Sequence, residues 1–288
     1  MSKRNFCGWL LTAAGLCVLI VGVVLAAVTT IPASSLTSST VYYTDIIGGG
    51  IGAPVVMNGG GTRNDDEFRG PINLGFSLTF FGNTYTQFWA NNNGNISFGA
   101  GISAYTPSGP QGASQPIISP FFADVDTRGS GSGLMYLRTD IPNQIIVTWD
   151  SVGYYGSHFD KLNSFQLVLR SSGYSIPAGE GQIGFFYKTM QWETGDASGG
   201  SGGFGGTPAA VGFGDGASNG FVIAGSLQNG ISGVVNNRKT WFNLSSSGTP
   251  IVPAQVPAPS SLGMLALGLG ALAIGQLLRR KRTTTPQA

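Results

Sequence analysis

Short runs of β-forming residues, each closed by a glycine- or asparagine-rich turn, follow one another through the middle of this chain. They include FSLTFF (76–81), YTQFWA (85–90), NISFG (95–99), IISPFFADV (117–125) and GLMYLRT (133–139). QIIVTWDSV (144–152), NSFQLVLRS (163–171), QIGFFYKTMQW (182–192), AAVGFGD (209–215) and FVIAGS (221–226) continue the series. NNNGN, RGSGSG, DIPN, YYGSHFDK and SSGYS stand between them, and such residues favour turns for backbone reasons. No segment of this body sustains the 3.6-residue apolar period of a helix. The pattern predicts an all-β fold: a single antiparallel β-sandwich or barrel-like domain. Residues 194–207, TGDASGGSGGFGGT, are so rich in glycine that they are expected to be a mobile insertion between strands.

Such a domain has to be held by core burial alone. Both cysteines, Cys7 and Cys17, lie in an N-terminal apolar run, so the body is expected to hold no disulfide and no thiolate ligand. The formal charge of +2 misleads. Six of the 15 basic residues sit at the two ends, leaving the middle with nine against all 13 acids. A mildly acidic body lacks the basic stripe that phosphate backbones require, so no nucleic-acid partner is expected.

The two ends read as addresses. Lys3 and Arg4 precede the apolar run WLLTAAGLCVLIVGVVLAAV, and Ala26, Ala27 and Ala33 follow as small residues before a cleavage point. Residues 1–33 are therefore predicted to be a secretory signal helix, with the mature chain starting between Ala27 and Ser34. At the other end, residues 245–259 form a Pro/Ser-rich linker, and 260–282 a short apolar transmembrane helix with a basic tail, Arg279–Arg282. The positive-inside bias puts both basic ends on the cytoplasmic side, so the body between them is exported. The Pro motif, helix and basic block together resemble the PEP-CTERM sorting signal of Gram-negative bacteria. That resemblance implies an exosortase-type membrane peptidase as partner, acting at Val256, Pro257, Ala258 and Pro259. Ala258 stands where the family has Glu. The expected route is the inner membrane before processing, then the cell surface or medium.

The body motifs also occur in a recognisable order. FFGNTYTQFWANNNGNISFG, ISPFFADVDTRGSG, IIVTWDSVGYYGSHFDKLNSFQLVL, GFFYKTMQWETGD and AAVGFGDG, with a terminal RKTWF, resemble the nidogen-like (NIDO) domain over residues 72–244. Residues 34–71 are read as an N-terminal extension of that domain. The resemblance implies an extracellular setting linked to matrix and adhesion, and no enzymatic activity.

The sharpest chemical question concerns Asp124 and Asp126. One residue apart on an extended strand, their carboxylates would leave the same face roughly 6.5–7 Å apart. That is a spacing that inverting glycosidases use. A general acid must stay protonated, however, and Arg128 with Arg138 on the return strand would hold these groups ionised. Asp126 is therefore expected to close a turn and Asp124 to pair with an arginine across the hairpin. A calcium reading of Asp124, Asp126, Asp150 and Asp160 rests on hard oxygen donors near loops, but the later ligands of an EF-hand loop are missing. Nucleophilic hydrolysis finds no Gly-x-Ser-x-Gly elbow around Ser114 or Ser175, and His158, the single histidine, falls in a turn as a solvated residue. No Gly-Lys-Ser/Thr phosphate loop follows the glycines of 199–206. Tyr154 and Tyr155 are the aromatics expected on the surface, where they would suit polysaccharide or protein contact. The sequence predicts no catalytic residue, cofactor or metal ligand. It points to an exported, non-enzymatic module whose partners are surface polysaccharide or a matrix protein; the alternative is a secreted glycan-active hydrolase using Asp124 and Asp126.

Overall fold

A computed structural model describes residues 27–252. The greater part of the expected leader, the sorting motif at Val256–Pro259, and the C-terminal helix with its basic tail lie outside the described residues. Within them, no helix is long and apolar enough to cross a membrane.

The chain enters through β1 (Val28–Ile31), β2 (Thr37–Ser38), the short helix α1 (Tyr43–Ile47) and β3 (Ala53–Pro54). A long hairpin follows, β4 (Phe68–Phe80) and β5 (Asn83–Asn91), then β6 (Asn95–Ser97), β7 (Pro116–Phe122) and β8 (Val125–Asp126). The centre is β9 (Leu134–Arg138), β10 (Gln144–Tyr154), β11 (His158–Arg170) and β12 (Ile183–Met190). A small hairpin, β13 (Gly200–Ser201) and β14 (Phe204–Gly205), precedes β15 (Ala210–Asp215) and β16 (Gly220–Ile223). Helix α2 (Ile231–Val235), β17 (Arg238–Leu244) and β18 (Pro250–Ile251) complete the described chain.

These strands make two large sheets. One runs β1-β16-β15-β7-β6-β5-β4; the other runs β18-β17-β12-β11-β10-β9-β3, with β2 beside β17 and β8 beside β10. All pairings are antiparallel except β1 with β16. The expected all-β architecture is therefore observed, as a sandwich. Alternate residues from each sheet share one apolar core: Phe88, Ile96, Ile118 and Phe213 from the first, Val147, Phe165, Leu167 and Phe185 from the second. Phe185 stacks on Phe213 at 5.3 Å between ring centroids, and Phe121 meets Phe165 at 5.6 Å, so the two faces interdigitate. The β4–β5 turn consists of Phe81 and Gly82, both at positive φ (45° and 79°), the geometry of a two-residue turn that matches strand twist.

Three segment boundaries differ from the sequence reading. Val28–Ile31 pairs with Gly220–Ile223 and buries Ile31 fully, so the domain begins inside the segment assigned to residues 1–33. The extension 34–71 is part of the fold. Its Tyr43 joins Ile146, Val168 and Phe186 in a second apolar cluster, and β4 runs unbroken across residue 71. Beyond Leu244, Pro250–Ile251 still pairs with Asn243–Leu244, so the linker 245–259 starts as a hairpin. The glycine-rich stretch 194–207 is not a loose insertion. It forms the β13–β14 hairpin, with Glu193 and Thr194 N–H groups donating to Gly203 O and Thr207 N–H to Ser198 O. Glycine permits this because several of these residues sit at positive φ and crowd their neighbours.

Candidate functional site

Strand β7 ends at Phe122, and the chain turns through Ala123 and Asp124 before β8 docks beside β10. The buried turn 91–95 shapes this bend. Asn93 Oδ1 accepts from Val125 N–H (2.9 Å), and its Nδ2 donates to Asp66 Oδ1 (2.9 Å). The loop 63–67 is fastened to the far side of the same bend. Arg63 donates to the carbonyls of Thr127, Gly129 and Ser132, while Asn64 and Thr127 exchange backbone and hydroxyl hydrogen bonds. Asp65 and Asp66 are thereby delivered to Asp124. One carboxylate oxygen from each lies within 4.8 Å of the other two.

The two aspartates of the sequence motif meet opposite fates. Asp126 is fully buried and saturated: Arg128 N–H (2.8 Å), Arg128 Nε (3.0 Å), Arg128 Nη2 (2.7 Å) and Ser157 N–H (2.8 Å) all donate to it. Burial alone would raise its pKa, but these donors outweigh burial and hold it below the ordinary carboxylate value. This is the turn-closing role expected of Asp126. Asp124 does not pair with an arginine across the hairpin. Arg138 is spent on Asp140 (2.7 Å) and on the carbonyls of Gly48 and Gly50. Asp124 is 1 % exposed and neither carboxylate oxygen has a hydrogen-bond partner among the described residues. Burial first, then the charges of Asp65, Asp66, Asp126 and Asp196, push its pKa up to about 8. Burial and neighbouring acids likewise push Asp65 up to about 6, against the opposing pull of Arg128 at 2.9 Å, and burial raises Asp66.

Gly195 closes the site from the glycine-rich segment. Its φ of −82° suits any residue, but a Cβ there would stand 2.4 Å from Asp124 Oδ2, so glycine is required by closeness. The other sequence candidates lie elsewhere. Asp150 accepts from Tyr42 OH (2.8 Å), and Asp160 from Tyr154 OH (2.8 Å) and Lys161 (2.6 Å). His158 opens β11, stacks on Tyr154 at 4.8 Å and meets Asp196 at 3.2 Å, so it is half-exposed and partnered. Tyr154 is buried against Trp192 and Tyr155 is half-buried, which corrects the expectation of two surface aromatics. Phe159, 48 % exposed, is the aromatic that this turn presents. Asp65, Asp66, Asn92 and Asn93 were missed by sequence reasoning. The only available signal was a second acidic pair ahead of a strand.

The chain belongs to the NIDO-related family, whose profile matches residues 35–248. It is 33 % identical over 190 residues to alpha-tectorin of Gallus gallus, covering 56 % of this chain and 9 % of that protein. Against alpha-tectorin of Homo sapiens it is 34 % identical over 191 residues, covering 56 % and 8 %. Nidogen of Drosophila melanogaster is 26 % identical over 117 residues, covering 32 % and 9 %. The chain thus spans less than a tenth of the length of these relatives. No solved structure matches it.

Proposed function

We propose that this chain is an exported, non-enzymatic module of the cell surface or extracellular matrix, held by exopolysaccharide or another surface protein. The observation that carries the reading is the enclosure of both carboxylates that a glycan hydrolase would need. Asp124 and Asp126 are 1 % and 0 % exposed, and a polymer substrate has no route to either. A surface groove of about 490 Å³ beside β9 has one carboxylate among its lining residues, Asp140, and Arg138 occupies it. Family membership supports the same reading through the extracellular setting that the nidogen-like resemblance implies.

The ends complete the proposal. Leader cleavage falls before Val28, because a cut after Ala33 would remove β1 and uncover the core around Ile31. An exosortase-type peptidase then recognises Val256–Pro259 and releases the body from the membrane. Intact-mass measurement on protein from cells and medium tests both cuts. Replacing Pro257 and Pro259 with Ala should leave membrane-held protein heavier by the tail. Incubating the purified chain with exopolysaccharide from producing cells tests the module itself. Co-sedimentation without new reducing ends is expected; release of reducing ends, lost in Asp124→Asn, would make the protein a hydrolase.

A further inference from the structure

Two buried carboxylate oxygens without a hydrogen bond are costly for a fold to retain, since desolvation is uncompensated. Both oxygens of Asp124 are in this state, as are Asp65 Oδ1 and Glu67 Oε2. One Asp124 oxygen lies within 4.8 Å of a carboxylate oxygen of Asp65 and of one of Asp66, residues that arrive from a different loop. Arg128 bonds Asp65 and Asp126, and no salt bridge joins it to Asp124. A fifth acid, Asp196, lies close enough to act on Asp124, and its own contact is with His158. The group therefore concentrates negative charge around an interior carboxylate that nothing among the described residues neutralises.

Neutral oxygen donors flank the same place. Asn92 Nδ2 donates to the carbonyls of Asp65 and Val125, which fixes its orientation and leaves Oδ1 buried without a donor. Thr194 Oγ1, next to the glycine that abuts Asp124, is also buried and unpartnered. These groups are all hard oxygens, and no imidazole or thiolate belongs to the cluster.

We propose that Asp65, Asp66 and Asp124 form a binding site for a single calcium ion, with Asp124 as its interior ligand. Calcium takes six to eight oxygens in adaptable geometry, whereas magnesium demands a near-ideal octahedron and zinc favours nitrogen and sulfur. The ion neutralises Asp124 and ties the loop ahead of β4 to the bend after β7, two connections that each cross from one sheet to the other. This use of Asp124 goes beyond the matrix reading and holds whatever partner the module has.

The test is calorimetric titration of calcium chloride into the purified, chelator-treated full-length chain, beside Asp124→Asn, Asp66→Asn and the control Asp160→Asn. One ion per chain is expected, in the ~10⁻⁴–10⁻³ M range of extracellular modules or tighter. Asp124→Asn and Asp66→Asn should each bind at least about tenfold more weakly, since losing even an outer-shell partner of a metal ligand costs that much. Asp160→Asn should bind as the unaltered chain does. Circular dichroism checks folding, and should Asp124→Asn fail to fold, the half-exposed Asp66→Asn decides. Absence of calcium heat in the unaltered chain, or unchanged affinity in the folded Asp66 or Asp124 variant, overturns the site.

Discussion

Two buried charges in this sandwich have been treated in opposite ways. Arg170, at the end of β11, is fully buried, yet its guanidinium is enclosed by partners. It donates to Gln144 Oε1 (2.7 Å), Gly181 O (3.0 Å), Tyr43 OH (2.5 Å) and Glu180 Oε2 (2.6 Å). The rings of Trp241, Tyr174 and Tyr43 surround it at 4.3, 4.5 and 5.0 Å. Asp124, equally buried, has no donor among the described residues. A buried charge that the chain completes by itself is architecture. One that the chain leaves open requires something from outside, and here that is a proton or a cation.

Breaking the completed charge should produce the largest effect. Arg170→Met strands Glu180, Gln144 and the Tyr43 hydroxyl, and loss of one partner of a buried pair costs about 3–5 kcal/mol. Urea denaturation should show that loss equally with calcium or EGTA; a smaller loss, or dependence on calcium, would erase the contrast. Asp124→Asn should behave in the reverse manner. In EGTA the amide replaces a buried carboxyl that has no partner for its charged form, and should leave stability equal or higher. With calcium at a hundredfold excess over Kd, the unaltered chain should gain about 2.7 kcal/mol, and the variant at least about 1.3 kcal/mol less.

A third effect is in pH. In EGTA the unfolded carboxyls titrate near the ordinary value of 3.8, while folded Asp124 and Asp65 titrate at about 8 and about 6. The groups around them are Asp66, Asp126, Asp196 and Arg128. Between pH 4 and 8 the folded state therefore holds protons that the unfolded state has released, so stability should fall as pH rises through that window. Asp126 acts in the opposite direction, because its lowered pKa makes its contribution disappear as pH drops below the ordinary value. Thermal melts across pH 4–9 in EGTA that stay flat or rise would contradict the assignment of Asp124. The smallest effect belongs to the rim of the arginine pocket: Tyr174→Leu should cost about 0.5–1 kcal/mol by removing one face of the cation–π enclosure.

What was legible in the sequence followed from distance along the chain. The role of Asp126 could be read because Arg128 is two residues away and the turn chemistry is local. Of the ten β runs read from the sequence, nine fall wholly or largely within strands and FVIAGS does so by half, since a pleat repeats every second residue. The fate of Asp124 depends on Asp65 and Asp66, which the fold imports from a loop that looks like an appendage until Arg63 and Asn64 are seen fastened to Thr127. Tyr43 and Val28–Ile31 were obscured for the same reason, being short segments whose partners lie more than a hundred residues on. Composition also misled at residues 194–207, where glycine marks close approach to Asp124 and Trp192 instead of looseness.

The last strand decides how the domain answers to force. A pull applied beyond residue 252 enters through β18, an edge strand of two residues whose proline offers no amide donor. Because β18 folds back antiparallel on β17, the pull opens Ile251 from Asn243, then Pro250 from Leu244, one rung at a time. The next bonds to yield are those between Thr249 and Ser245, then those from Phe81 N–H to Gly248 O and from Gly82 N–H to Ser247 O. Only then does tension reach β17, whose neighbour β12 engages it along Ile183–Tyr187. A tethered copy of this protein would lengthen by a few residues under drag before its core felt any strain.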